Sequence, residues 1–335
     1  AAAAAAGDGS EVPFELCDLQ GFYNALQGVL TEVVDVREPS TLGPLAVRIR
    51  RSIGLRELAE KRLSVTRTLL FFGDGGDGGA EAKEEKKKPA ETNSGKGEGP
   101  EDRNSSVRGA AMKAVRSITG RGPGPKAKAF KKSISVLIYE GSLEAFRARY
   151  PFMTASEPAK GKTDSAPKLY GFQRFPNEII PGELYLTGAV TAKKPIVIRS
   201  LGIKHVVNAT VRSANAFEGK GVNYLRVKLE DEPGATKEMT ECIDEVVEFI
   251  SKAREKKEAV LVHCAAGVSR SSTLVIAYLM RAQGKTMQQA YSWVKRCRPQ
   301  IHPNEGFLGV LKSLETRTRT QPAEESPGGP DEGAS

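Results

Sequence analysis

No stretch of this chain approaches the run of about 18 apolar residues that a membrane-spanning helix needs. Cysteine and histidine are scarce. The four cysteines (Cys17, Cys242, Cys264, Cys297) and three histidines (His205, His263, His302) show no paired spacing. That argues against a zinc site and for a reducing compartment. Aromatic residues make up only 6% of the sequence and are not interleaved with the basic ones. Nucleic-acid binding is therefore a weak reading of the +9 net charge and of a pI near 9.3. The sequence starts at Ala1 rather than Met, as a piece of a longer protein would, which leaves any targeting peptide open.

What is present divides unevenly. A length of 335 residues suggests two domains. Residues 166–316 carry 22 basic and 15 acidic side chains, a net +7, which suits an anionic substrate. Within that half, Val260-Leu261-Val262 is an apolar run of buried-strand type. Ser271 through Met280 are apolar on every side, as in a helix sunk in a core. Between them lies His263-Cys264-Ala265-Ala266-Gly267-Val268-Ser269-Arg270-Ser271.

That spacing has a physical reading. A short loop entering a helix can turn successive N–H groups inward, forming an anion nest on the positive end of the helix dipole. Ala265, Ala266 and Gly267 are small enough for a phosphate to approach the backbone, with Val268 and Ser269 completing the loop. Arg270 can clamp two phosphate oxygens in a planar fork. The same field stabilises a thiolate at Cys264. A cysteine at a helix N-terminus beside a guanidinium can have a pKa of roughly 3.5–7.5. Ser271 is placed to donate a hydrogen bond to the sulfur.

His-Cys-x5-Arg-Ser between a strand and a helix resembles the signature of the cysteine-based protein tyrosine phosphatases. LVHCAAGVSRSSTLVIAYLM is similar to their dual-specificity subgroup. The resemblance implies an acid for the leaving oxygen some thirty residues before the cysteine, which falls on Asp231, with Glu230 and Glu232 as rivals. It makes His263 a hydrogen-bond donor that organises the loop, and Asn304 in Pro303-Asn304-Glu305-Gly306-Phe307 a structural support. Phosphoinositide-directed relatives carry lysines in the loop, where Ala265, Ala266 and Val268 are neutral. Glucan phosphatases have a glycine where Ser269 stands. A catalytic domain of about 145 residues without the tyrosine-pocket segment implies a shallow site, open to phosphoserine, phosphothreonine and phosphotyrosine. No cofactor and no metal are implied.

The first half reads as a smaller α/β domain. Leu19, Phe22, Leu26, Val29 and Leu30 recur at helical spacing; 32–38, 68–72 and 134–139 read as strands of a parallel sheet. VVDVRE, LLFF and VLIYEGSLEAFRARYP resemble rhodanese-like domains, as found ahead of mitogen-activated protein kinase phosphatases. A working rhodanese has a cysteine after its central strand, where this chain has Gly73-Asp74-Gly75-Gly76, so sulfur transfer is excluded. Residues 73–106 are nearly free of apolar side chains and are expected to form a disordered insert, with a helix resuming over 108–118. Arg48, Arg50 and Arg51, close to Leu55 and Leu58, match the basic cluster by which such phosphatases dock a kinase; a solvated helix face is the plainer reading.

The expected organisation is α/β throughout. It runs from a disordered start (1–12) to an inactive rhodanese-like domain (13–152), then a linker (153–171). A dual-specificity phosphatase fold with a central sheet flanked by helices follows (172–316), and a disordered tail ends the chain (317–335). The resemblance implies hydrolysis of phosphorylated protein substrates, a mitogen-activated protein kinase among them; the expected location is the cytoplasm, with the nucleus as the alternative. The rival reading is a pseudophosphatase scaffold, which would lack at least one of Cys264, Arg270 and Asp231.

Overall fold

The computed structural model describes residues 14–27, 31–35, 48–49, 52–54, 68–72, 111, 135–139, 141–155 and 174–320. The chain divides into two compact units, Ala1–Arg174 and Phe175–Ser335.

In the first unit, β1 (Phe14–Cys17), α1 (Leu19–Leu26), β2 (Thr31–Asp35), β3 (Arg48–Ile49), β4 (Ser52–Gly54), β5 (Thr68–Phe72), β6 (Ser135–Tyr139), α2 (Leu143–Arg149) and β7 (Thr154–Ala155) follow in order. The main sheet runs β1-β6-β5-β2-β4. All its pairings are parallel, as the alternation of strand and helix predicts. Both described helices start where the sequence provides an acceptor. Asp18 accepts from the Gly21 amide at 2.7 Å, and Ser142 accepts from Glu144 and Ala145. Aromatic rings form the core: Phe22 stacks on Tyr139 at 4.3 Å and meets Phe146 edge-on at 4.9 Å.

Met153 is buried and β7 pairs with β3. Arg50, Arg51, Leu55, Leu58, the start 1–12, the 73–106 insert, the 108–118 helix apart from Ala111, and 156–173 lie outside the described residues.

The second unit contains β8 (Asn177–Ile180), β9 (Leu184–Gly188), α3 (Ala189–Ala192), α4 (Pro195–Ser200), β10 (Ile203–Asn208), β11 (Asn223–Arg226), α5 (Thr236–Glu255), β12 (Ala259–Cys264), α6 (Arg270–Gln283), α7 (Met287–Cys297) and α8 (Glu305–Thr320). Its sheet runs β11-β10-β12-β9-β8, parallel except for β8.

The resemblance of PNEIIPGELYLTGAVTA to the opening of dual-specificity phosphatases implies a first strand at Leu184-Tyr185-Leu186. The structure adds β8 before it, joined through a turn in which Gly182 takes φ +74° and donates to the Glu178 carboxylate at 2.8 Å. Both faces of β12 are covered. Val260 and Val262 pack under α5 to α8, while Leu261 faces a second cluster with Ala192, Ile203 and Val206, which explains the unbroken apolar run. Helix α6 is buried at every position from Arg270 to Met280 and stops at Gly284, φ +62°. The capping box of α7 is present in both directions: Gln289 donates to Thr286 Oγ1 at 3.2 Å, and the Thr286 amide donates to Gln289 Oε1 at 3.0 Å. Helix α8 continues to Thr320, past the expected end at 316.

Candidate active site

Cys264 is the last residue of β12, the middle strand of the sheet, and lies at its carboxyl edge, where α/β sheets offer their crevices. The next five residues turn the chain into α6. Ser269, at the N-cap of α6, makes no side-chain capping bond. The sulfur of Cys264 takes that place instead. It accepts from the Gly267 amide at 3.2 Å and from the Ser271 hydroxyl at 3.2 Å.

Burial is the largest single influence on this thiol and pushes its pKa up. The Ser271 hydroxyl and the amides of Ser271, Val268 and Gly267 together outweigh it, and the thiol ends below its ordinary value. The donors to the sulfur are a hydroxyl and the backbone of the loop.

Arg270 is 8% exposed. One Nη donates to the Leu229 carbonyl at 2.9 Å, which ties the helix to the loop that follows β11. Its Nε is buried without a hydrogen-bond partner, 3.5 Å from Asp231 Oδ2. That contact is an ion pair without hydrogen-bond geometry, and an oxyanion is what a guanidinium fork takes best.

In the loop after β11, where the resemblance implies the acid, Val227 and Leu229 anchor inward while Glu230, Asp231 and Glu232 are exposed. Among the three, it is Asp231 that faces Arg270 and accepts from Asn304 Nδ2 at 3.3 Å. Asn304 also caps α8, accepting from the Phe307 amide at 3.0 Å, and its own amide donates to Ser269 Oγ at 3.3 Å. One residue thus touches the phosphate loop, the acid loop and the last helix. His263 is 3% exposed with Nδ1 3.3 Å from the Cys264 carbonyl. Burial above all lowers its pKa to about 4, so it is neutral beside the sulfur.

Close backbone packing at two glycines and one distant side chain complete this site. Gly267 takes φ +71°, and a Cβ there would lie 2.5 Å from the Thr187 carbonyl. A Cβ on Gly306 would lie 2.0 Å from the Pro233 carbonyl, so α8 packs backbone to backbone on the acid loop. Arg298, 7% exposed, reaches the phosphate loop from the end of α7: Nε donates to the Gly267 carbonyl at 2.7 Å and Nη2 to the Ala266 carbonyl at 3.1 Å. Its only sequence signal is a place in Lys295-Arg296-Cys297-Arg298, which reads as an ordinary basic helix end. Of the docking arginines, Arg48 lies in β3, and Arg50 and Arg51 are outside the described residues. Among the described residues no group of three or more His, Cys, Asp or Glu could hold a metal ion.

The family model for the dual specificity phosphatase catalytic domain matches residues 184–317. Dual specificity protein phosphatase 18 of Bos taurus is 34% identical over 159 residues, which is 48% of this chain and 80% of that protein. The chain belongs to the dual-specificity phosphatase family. A probable rhodanese domain-containing dual specificity protein phosphatase of Dictyostelium discoideum is 35% identical over 185 residues, 55% of this chain and 38% of that one. Human dual specificity protein phosphatase 7 is 37% identical over 155 residues, 46% of this chain and 36% of the relative. The chain therefore spans well under half the length of these two relatives.

Proposed function

We propose that this protein hydrolyses phosphotyrosine and phosphoserine or phosphothreonine esters on proteins through a cysteinyl-phosphate intermediate. The observation that carries the reading is the Cys264 thiol, lowered by the loop's own donors, beside an Arg270 whose buried Nε has no hydrogen-bond partner. The phosphoryl group sits in the nest, its oxygens on the loop amides and on Arg270. The Cys264 thiolate attacks phosphorus, forming S–P as the ester P–O bond breaks, and Asp231 gives its proton to the leaving oxygen. A water molecule then attacks the phosphocysteine, with its proton taken by Asp231. Cys264 departs as a thiolate, stabilised by the Ser271 hydroxyl. A phosphoprotein-binding scaffold without turnover is disfavoured, because Cys264, Arg270 and Asp231 are all present.

We assign the first unit a recruiting role. Its parallel sheet suits a rhodanese-like fold, and a relative bears that domain in its name. Gly73-Asp74-Gly75-Gly76 stands where the sulfur-carrying cysteine would be. Arg48, Arg50 and Arg51, with Leu55 and Leu58, suit an acidic groove with an apolar edge, as on a mitogen-activated protein kinase.

One experiment tests both parts. Turnover of a small aryl phosphate and of an activated mitogen-activated protein kinase is compared for the protein and for its Arg48, Arg50 and Arg51 to Ala triple variant. No turnover of either substrate by the unaltered protein would end the phosphatase reading. Exposed pairs contribute ~0.2–1 kcal/mol each, so the triple change should slow the kinase reaction by up to about a hundred-fold and leave the aryl ester alone. An unchanged kinase rate would remove the docking role.

A further inference from the structure

The nest works only if its amides point inward, and the carbonyls show what turns them. Four successive carbonyls of the loop each have an outside donor. Ala265 accepts from the Ala189 amide at 3.0 Å, and Val268 from the His302 amide at 2.9 Å. Between them, Ala266 and Gly267 both accept from Arg298, at 3.1 and 2.7 Å.

A trans peptide is planar, with its C=O and the following N–H directed oppositely. Holding the Ala266 carbonyl outward therefore turns the Gly267 amide inward, and holding the Gly267 carbonyl does the same for the Val268 amide. Those are two of the amides that act on the Cys264 sulfur. The guanidinium is itself fixed: Nη1 donates to Asn177 Oδ1 at 2.6 Å, and Asn177 Nδ2 donates to the Cys297 carbonyl at 2.9 Å. Both side chains are buried, and Asn177 stands 121 residues from Arg298 on the β8 edge strand.

We propose that Arg298, oriented by Asn177, is a positioning residue: it grips the two peptide units whose N–H groups face the Cys264 sulfur and so sets the anion-binding conformation of the loop. It touches no reacting atom. A planar fork can hold two adjacent carbonyls and one amide oxygen at once, which an ammonium cannot do in fixed geometry. The inference rests on reading 264–270 as an oxyanion cradle, and its readouts need no turnover.

The test measures the pH dependence of Cys264 alkylation by iodoacetate, the affinity for inorganic phosphate, and the melting temperature. These are compared for the full chain and its Arg298→Lys, Arg298→Ala and Asn177→Ala variants. Removing the fork should raise the thiol's apparent pKa by about one unit and weaken phosphate binding about ten-fold, as expected when a charge-assisted hydrogen bond is misaligned. Arg298→Lys should recover only part of either property, and Asn177→Ala should shift both in the same direction by about three-fold. If Arg298→Ala does not fold, the other two variants decide on the same readouts. Folded variants with a lower melting temperature but unchanged alkylation profile and phosphate affinity would reduce Arg298 to a structural brace and overturn the inference alone. An unaltered protein with an ordinary thiol and no phosphate affinity would overturn both the inference and the phosphatase reading.

Discussion

Two loops meet at this site and are built on opposite terms. In the phosphate loop, Cys264 is 1% exposed, Ser271 0% and Arg270 8%, and successive carbonyls are held from outside. In the acid loop, Leu229 is fully buried as an anchor, while the Asp231 side chain is 37% exposed and held by Asn304 at 3.3 Å. The difference suits the two proposed tasks. Donors for an oxyanion act best when they are fixed before the charge arrives, with nothing left to reorganise. A general acid must instead meet leaving groups of different size and exchange protons with water, so burial would defeat it.

The largest effect should come from the buried side. Cys264→Ser removes the nucleophile while leaving the loop amides and Arg270, so turnover should fall below about a hundredth of its original value with phosphate binding retained. Steady-state rates with an aryl phosphate and phosphate titration check this together. More than a few per cent of residual activity would mean that another group attacks phosphorus.

On the exposed side, Asp231→Asn should slow hydrolysis of an ester with a poor leaving group by roughly 10²–10⁴, and of one with a very good leaving group far less. Equal losses on both would move the acid to Glu232.

A sharper cut separates the loops by a substitution that lies in neither. The Cβ of Gly306→Ala would meet the Pro233 carbonyl at 2.0 Å, so the acid loop and the start of α8 must shift apart. Misplacement on that scale should cost about ten-fold or more with a poor leaving group. The alkylation profile of Cys264 should not move, because its donors lie in the other loop. A changed thiol profile would show the two loops to be mechanically one.

The same division decides what could be read without coordinates. Cys264, Arg270 and Ser271 lie within a few residues of one another, so spacing alone exposes them. Asp231 required a resemblance, since its distance from Cys264 is set by the length of α5 and not by any local rule. Arg298, Asn177, Gly188 and Gly306 act on backbone far away in the sequence. A Cβ on Gly188 would lie 2.9 Å from the Ala265 and Ala266 carbonyl oxygens, yet nothing around it distinguishes it from a strand-ending glycine. Strand β8 is hard to read from sequence for a different reason. Its four residues offer no long alternation, although Pro181-Gly182 marks the turn that pairs it with β9.

The smallest expected effect concerns stability, and it belongs to the buried loop. His263 sits behind the sulfur with its ring at 3% exposure. Burial lowers its pKa from 6.5 to about 4; the bond to the Cys264 carbonyl opposes this, and the charge of Lys193 adds to it. The unfolded chain therefore takes up a proton near the ordinary histidine value, while the folded chain resists until near 4. Stability linked to this group is complete above the unfolded pKa and is lost as pH falls toward the folded one. The full shift amounts to about 3 kcal/mol. Carboxylates elsewhere titrate in the same window, so the comparison is with His263→Asn, whose amide can take the place of Nδ1 against the Cys264 carbonyl without titrating. Denaturant unfolding from pH 7 to 4 should show a shallower decline for the variant, with the two curves converging as pH falls. Parallel curves would mean that His263 takes up its proton in the fold as readily as in the unfolded chain, and the lowered pKa of the buried ring would have to be given up.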